Sequence, residues 1–498
     1  MSRECLRFSP EILRRLGEEL IPHADQGIIE LVRNAYDADA VTCRVELSDV
    51  EEPGGTLCVT DDGTGMTEQD IHSGWLVLGR SAKAGRKPTD LGRLPVGDKG
   101  LGRLAALRMG SVATLRTRPK VQPGREFCLV LDWARYEAAD VVENVELRIE
   151  ERPTSEPPGT TIEVTNLAVR LGQREMQRLA RALLLLADPF DDATGFHPIL
   201  VAPEFEAIEQ RVREAYFDEA ELHLVARLDK HGRAIAQVFD RGGRERWKAS
   251  HDDLSKGPKK SAPEYKTSAA TFDLWAFNVT AQSFSPEVTI REVQDWLEAV
   301  GGVHLYHRGL RVHPYGDPGH DWLDMNLARA RSPELRPSTN TSIGRIVVRD
   351  PAELLVQKTD RTGFIENEAF AELKRFATDA LNWMAAERLT EREKRRARER
   401  VEAPEIVSEA RAQLASAIKS LPSEARQPLR AAVNRLESAR EEEARTLRED
   451  LQLYRTLGTV GTTAAVFAHE SAKPVTQIEK MTKMIESRAR KALGHAYP

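Results

Sequence analysis

The sequence predicts an α+β protein with two sheet-bearing regions and a helical C-terminal part. Three observations lead there. The stretch Glu30-Leu-Val-Arg-Asn34-Ala-Tyr-Asp37-Ala has helical periodicity: Ile28, Ile29, Leu31, Val32 and Ala35 form an apolar stripe able to pack on a sheet, while Glu30, Asn34 and Asp37 share another face. Short alternating runs bounded by Gly, Pro and Asp turns recur in two groups, an early pair at Thr42–Leu47 and Thr56–Thr60 and a later set between 222 and 348. Beyond Phe370 the composition shifts to Ala, Glu, Arg and Leu. A chain of 498 residues holds two to four domains, and these shifts divide it at 1–190, 200–370 and 371–498.

Composition excludes several classes. Hydrophobic residues at 41% and charged residues at 30% suit a globular protein with long charged helices, not disorder. No apolar run reaches bilayer-spanning length, and the opening Met-Ser-Arg-Glu-Cys-Leu-Arg lacks the apolar core of a signal peptide, so a cytoplasmic protein without a membrane segment is expected. The four cysteines, Cys5, Cys43, Cys58 and Cys128, show neither disulfide nor metal spacing. A net charge of −6 gives no global reason for nucleic-acid binding, although a local basic groove remains compatible with it.

In chain order, Ser9 and Pro10 suit the start of a first helix. The polar row of the next helix reads either as a solvated face or as the wall of a site. After it come the two strands, joined by a Pro-Gly-Gly turn, and the second runs into Asp61-Asp62-Gly63-Thr64-Gly65-Met66. Asp61 continues the parity of Leu57 and Val59, so it points toward the core, where a carboxylate needs a donor such as an adenine amino group. Tyr36 reads as a packing residue. The segment from Arg80 to Val96, rich in Gly, Lys, Arg and Pro, reads as a lid that lacks a core without ligand and is open to protease near Arg86 or Arg93. Gly97-Asp-Lys-Gly100-Leu101-Gly102 then opens an apolar helix to Met109, where backbone N–H groups and the positive helix end can cradle phosphate. Lys99 is either a solvated loop lysine or a phosphate contact. Gly159-Thr160-Thr161 enters a further strand.

The Glu-x-x-x-Asn helix, Asp-x-Gly-x-Gly, Gly-x-x-Gly-x-Gly after a lid-like loop, and Gly-Thr before a strand occur in that order within about the first 190 residues. Together they resemble the GHKL ATPase superfamily of DNA gyrase B, MutL, MORC proteins, ninety-kilodalton heat-shock chaperones and histidine kinases. The resemblance implies a Bergerat-type α/β sandwich that binds ATP with Mg2+. It implies Glu30 as the base that activates water, Asn34 as the magnesium ligand and Asp61 as the adenine contact. Gly65 would line the base pocket and Thr160 support it, Gly97, Gly100 and Gly102 would bound the phosphate lid, and Gly63, Met66, Lys83, Lys99 and Leu101 would also bind the nucleotide. Histidine kinases generally lack the water-activating glutamate, so Glu30 favours hydrolysis.

Later strands read at Leu222–Leu228, Ala234–Phe239, Thr271–Val279, Val303–Tyr306 and Ile343–Val348 make a second α+β region. Its position resembles the transducer domain of gyrase and MutL, or the chaperone middle domain. Gln357-Lys358 resembles the transducer loop that reaches the terminal phosphate, in a different order from the usual Gln-Thr-Lys. Lys358 is then a catalytic cation, with Arg361 an alternative donor, or both belong to a surface loop whose cations pair with nearby acids.

In the tail, Pro422 and Pro428 break the helical pattern, which suggests a hairpin followed by a long final helix. Leu453, Leu457, Val460, Ala464, Phe467, Ile478, Met481 and Ile485 keep three-four spacing and read as a self-association seam of coiled-coil type, hence a homodimer. Within it, His469-Glu470-Ser-Ala-Lys-Pro474 resembles the phosphoacceptor box of histidine kinases. A kinase would need a second dimerisation helix and a catalytic domain after it, so either the chain is shortened or another protein serves His469. Three functions follow: an ATP-hydrolysing dimeric clamp, a signalling kinase phosphorylated on His469, or an ATP-switched scaffold that does not hydrolyse, in a multi-component antiviral defence or DNA-maintenance assembly.

Overall fold

The computed structural model describes residues 7–13, 15, 24–78, 88–96, 102–191, 194–214, 216–255, 263–280, 283–331, 336–358, 362–420, 422, 425–454, 456–457, 460–461 and 482. The chain divides into two units, Met1–Leu323 with Ser338–Ala380, and Asp324–Pro337 with Leu381–Pro498.

The first unit opens on α1 (Ala24–Asp37), then β1 (Thr42–Ser48) and β2 (Thr56–Asp61), α2 (Gly102–Leu107), β3 (Gly110–Arg118), β4 (Arg125–Asp132), β5 (Ile149–Pro153), β6 (Gly159–Leu167), α3 (Gln173–Leu184), β7 (His197–Val201) and α4 (Pro203–Glu214). The strands form one seven-stranded sheet in the order β5-β4-β3-β6-β2-β1-β7, antiparallel except where β7 runs parallel to β1. Alternation puts Val45, Leu57, Val59, Leu115, Ile162 and Val164 on the buried face, where they share a core with Ile28, Leu31, Val32 and Ala35 of α1 and Leu179 and Leu183 of α3. The Pro-Gly-Gly turn joins β1 to β2, and Gly54 there has φ +113°, a conformation that suits glycine. Neither β5, which is almost wholly exposed, nor the five-residue β7 has a clear alternating signal, and β7 carries the first sheet past residue 190.

The second sheet comprises β8 (Leu222–Leu228), β9 (Ala234–Asp240), β10 (Glu245–Ala249), β11 (Ala270–Ala276), β12 (Gly302–His307), β13 (Leu310–Arg311) and β14 (Ser342–Val348), ordered β10-β9-β8-β11-β14-β12-β13. The strand expected to reach Val279 stops at Ala276, and Thr280 N–H turns back to donate to Asn278 O at 2.9 Å. Helix α5 (Ile290–Val300) begins on a Thr289/Glu292 capping box and buries Val293, Trp296, Leu297 and Val300.

Helix α6 (Glu368–Ser420) starts where Asn367 Oδ1 accepts from Phe370 N–H at 2.9 Å. In the second unit Arg411 on α6 meets Glu437 at 3.0 Å and Glu441 at 3.7 Å, so α6 and the helical stretch 425–454 form a hairpin. Pro422 lies in the connection as expected. Pro428, expected to break a helix, lies instead within the helical stretch 425–454. Among the described residues no helix is long and apolar enough to cross a membrane.

The expected lid needs a correction. Arg93 is only 5% exposed, and its guanidinium donates to the carbonyl oxygens of Tyr36, Ala40, Thr194 and Gly195 at 2.6–3.2 Å while lying over the Tyr36 ring at 4.6 Å. Residues 88–96 are therefore built into the fold, and Arg93 is no protease site; Arg86 lies outside the described residues. Arg93→Ala would leave those carbonyls without their donor, and a loss of about 3 kcal/mol is expected. Urea unfolding checks this: an unchanged midpoint would show that the cage carries no stability.

Candidate functional site

Two elements supply the site: the end of β2 and α1, whose C-terminal end is bonded to the turn that follows β2. Asp61, the last residue of β2, lies opposite Cys43 on β1 and Thr160 on β6. Its Oδ1 accepts the Gly63 N–H at 2.9 Å. Burial pushes its carboxyl up to about 6 from the usual 3.8, even though backbone bonds at Gly63 and Thr160 pull the other way. A half-buried carboxylate held under such pressure gains from a further donor.

The following turn is fixed from several sides. Asp62 Oδ1 accepts from Val41 and Thr42 N–H at 2.7 and 2.9 Å, and Thr64 N–H donates to Ala38 O at 2.8 Å, which straps the turn to the end of α1. Gly65 has φ +63°, and a Cβ there would stand 2.1 Å from Arg118 O, so glycine is required. Met66 N–H donates to Thr117 Oγ1 at 2.9 Å, and Thr117 Oγ1 lies 3.1 Å from Thr160 Oγ1. The structure thus brings Asp61, Gly63, Gly65, Met66 and Thr160 together. Thr117 joins them without having been singled out, since a strand threonine carries no distinguishing pattern.

On α1, Glu30 and Asp37 are buried and Asn34 half-buried. Asp37 Oδ1 accepts the Val96 N–H at 2.8 Å, so it anchors the chain immediately before the glycine-rich segment. Gly102 opens α2. That helix packs close on α1, because a Cβ on Gly27 would lie only 3.3 Å from Ala106 Cα. Among the described residues nothing bonds the Asn34 carboxamide, which leaves a neutral oxygen for a hard cation whose other ligands come from phosphate and water. No described group of three or more His, Cys, Asp or Glu could hold a metal by itself. Lys83, Gly97, Lys99, Gly100, Leu101 and Arg361 lie outside the described residues, as do His469 and Pro474.

Glu30 also borders a cleft of about 960 Å³ between α1, α3, α4 and the second sheet's hairpin, lined by Arg33, Arg181, Arg311 and Asp317 among others. Asp317 accepts from Arg181 at 3.1 Å and also pairs with Arg311. Burial alone would raise the Asp317 carboxyl, but Arg311 and His313 hold it well below the usual range. Lys358 does not line this cleft. It is exposed, with its N–H donating to Gly363 O at 2.9 Å, while the neighbouring Gln357 is buried and bridges to Phe364. Of the cations that line the cleft, Arg33 bonds Glu30, its Nη1 donating to Oε1 at 2.7 Å.

Residues 23–160 match the family model of histidine kinase-, DNA gyrase B- and HSP90-like ATPases. Over this segment the chain is similar to the GHKL ATPase superfamily. MutL, a DNA mismatch repair protein, from Thermus thermophilus is 34% identical over 238 residues, 47% of this chain and 38% of its own length. MutL from Thermus aquaticus is 36% identical over 186 residues, 36% of this chain and 30% of its own. A Herpetosiphon aurantiacus protein assigned to the type II restriction enzymes, HgiDII, is 31% identical over 108 residues, 22% of this chain and 17% of its own. The chain thus spans well under half the length of these relatives. A solved N-terminal domain of a DNA repair protein superposes with a TM-score of 0.41 at 12% identity, covering 76% of this chain and 99% of that one, a likeness too loose to bear on function.

Proposed function

We propose that this chain binds and hydrolyses ATP, and that nucleotide state moves its second sheet region within a dimer paired through the C-terminal helices. The proposal keeps the division into an ATPase region to 190, a transducer-like region over 200–370 and a helical dimerisation region over 371–498. The observation that carries it is a half-buried Asp61 carboxyl, raised by burial, in a turn strapped to the end of α1, the helix that bears the Glu30, Asn34 and Asp37 row, within a segment of GHKL type. Asp61 accepts the adenine amino group. Asn34 is the protein ligand of Mg2+, which neutralises phosphate charge when bound. Glu30 takes the proton from the attacking water. Lys358 approaches the terminal phosphate only if the second region moves.

Self-association is supported by the exposed apolar row on the last helices. Leu436, Leu447, Leu451, Leu453, Tyr454, Leu457 and Val460 are each more than half exposed, a pattern that asks for a partner surface. The relatives' names place them in DNA repair and restriction, so a multi-component assembly acting in DNA maintenance or defence is the setting we favour. Two measurements test the reading together. Purified chain should release phosphate from MgATP, and sedimentation should show a dimer that Leu447→Lys with Leu451→Lys converts to monomer. No phosphate release, or a monomer at all concentrations, would overturn the corresponding half. Acid-labile label from γ-labelled ATP that is absent in His469→Ala would instead promote the signalling reading.

A further inference from the structure

The hairpin of β12 and β13 reaches out of the second sheet and into the first core. Its turn, Arg308-Gly309, has φ +56° and +93°, and the following Leu310 is buried in the cluster beneath α1. Two side chains of α1 grip the backbone on either side of that turn. Tyr36 Oη donates to Arg308 O at 2.9 Å, and Arg33 Nη2 donates to Arg311 O at 3.3 Å. The Arg308 guanidinium in turn reaches Pro95 O at 3.1 Å, one residue before the Val96 N–H that Asp37 holds.

Arg33 is the pivotal group, because its other amino nitrogen, Nη1, donates to Glu30 Oε1 at 2.7 Å. An exposed pair of this spacing on a helix stabilises little. Here both side chains are under a tenth exposed, so the contact is worth more and its geometry is restrained. The Arg311 carbonyl is itself fixed: the Arg311 N–H donates to Leu186 O at 2.8 Å, its Nε donates to Tyr315 O at 3.1 Å, and its Nη2 pairs with Asp317. One guanidinium thus bridges the carboxylate assigned as base and a carbonyl whose place is set by the second sheet.

We propose that Arg33 is a positioning residue for Glu30, and that the hairpin tip sets Arg33, so the placement of the second sheet reaches the hydrolytic step through these two hydrogen bonds. The proposal rests on Glu30 acting as the base. It needs no cation delivered from a separate loop. A planar fork with two amino groups can serve both acceptors at once, and a single ammonium on a flexible stem cannot hold the same geometry. Because only the orientation of the base is at stake, nucleotide binding is spared.

Steady-state ATP turnover, with the affinity of a fluorescent ATP analogue measured in parallel on the full chain, tests this. Arg33→Ala should lower kcat 10- to 100-fold, with KM and analogue affinity within about twofold of wild type. Arg33→Lys should fall between the two, at least fivefold below wild type. Tyr36→Phe, which cuts the other hairpin bond without adding volume, should lower kcat less, and should have little further effect in the Arg33→Ala background. A kcat for Arg33→Ala within twofold of wild type, a rise in kcat, or a loss expressed equally in KM would overturn the proposal, as would full activity in Arg33→Lys. Urea unfolding shows whether Arg33→Ala folds; if it does not, Arg33→Lys and Tyr36→Phe carry the decision. Glu30→Ala separates the two levels: turnover that survives it overturns the assignment of the base, whereas its loss beside an intact Arg33→Ala overturns this proposal alone.

Discussion

Glu30→Ala is expected to abolish phosphate release while leaving ATP bound. A positioned general base contributes about 10²–10⁴-fold, so turnover should fall to near the background of the assay. Binding should persist because the proposed adenine contact is built on other residues, Asp61 with Thr117 and Thr160 around the end of β2. Glu30→Gln, which keeps the shape and can still bond Arg33 Nη1 through its carbonyl, should be nearly as inactive, since an amide cannot take the proton. Single-turnover phosphate release with an independent binding titration makes the distinction. Turnover within tenfold of wild type in both variants would remove Glu30 from the mechanism and favour the scaffold reading, in which ATP is bound but not consumed.

Much of this site could be read from the chain because its markers are local. The three-four spacing of Glu30, Asn34 and Asp37 and the period-two parity that turns Asp61 inward are backbone geometry, and neither depends on distant residues. The role of Asp37 is different: its partner, Val96 N–H, lies 59 residues away, and nothing in either stretch announces the other. Arg93 shows the same limit. In sequence it is one more cation in a polar segment, yet carbonyls from residues 36–40 and 194–195 enclose it. Arg33 is an unassigned position between Glu30 and Asn34 in the sequence, and only the fold places a hairpin carbonyl beside it. That hairpin did leave a local trace, since His307-Arg308-Gly309-Leu310 between apolar alternating residues is a tight-turn signal that a search for short strands would have used. Lys358 was found by resemblance of a dipeptide, and a dipeptide says nothing of where its loop points.

Asp61→Asn should weaken ATP binding roughly ten- to a hundredfold, the loss of about 1.5–3 kcal/mol that accompanies replacing a hydrogen bond to a charged acceptor by a neutral one. The same change should stabilise the nucleotide-free protein at pH 7. The sign follows from the shifted acidity. The folded carboxyl titrates at about 6 against the ordinary 3.8, so between those values the folded form binds more protons than the unfolded chain. Stability contributed by this group is therefore lost as pH rises through that window, and above about pH 6 the ionised carboxylate costs the free protein up to about 3 kcal/mol. Asparagine carries no such penalty, and a gain of about 1–3 kcal/mol is expected. On the proposed reading the charge that burial disfavours is also the one that attracts the adenine amino group, so affinity should fall as pH drops below about 6, with that step missing in Asp61→Asn. Melting curves at pH 5 and pH 7, with and without nucleotide, read both effects on the two proteins. A variant that binds ATP as tightly as wild type would remove Asp61 from the adenine contact. A variant less stable than wild type at pH 7 would show that the bonds from Gly63 and Thr160 already outweigh the cost of burial.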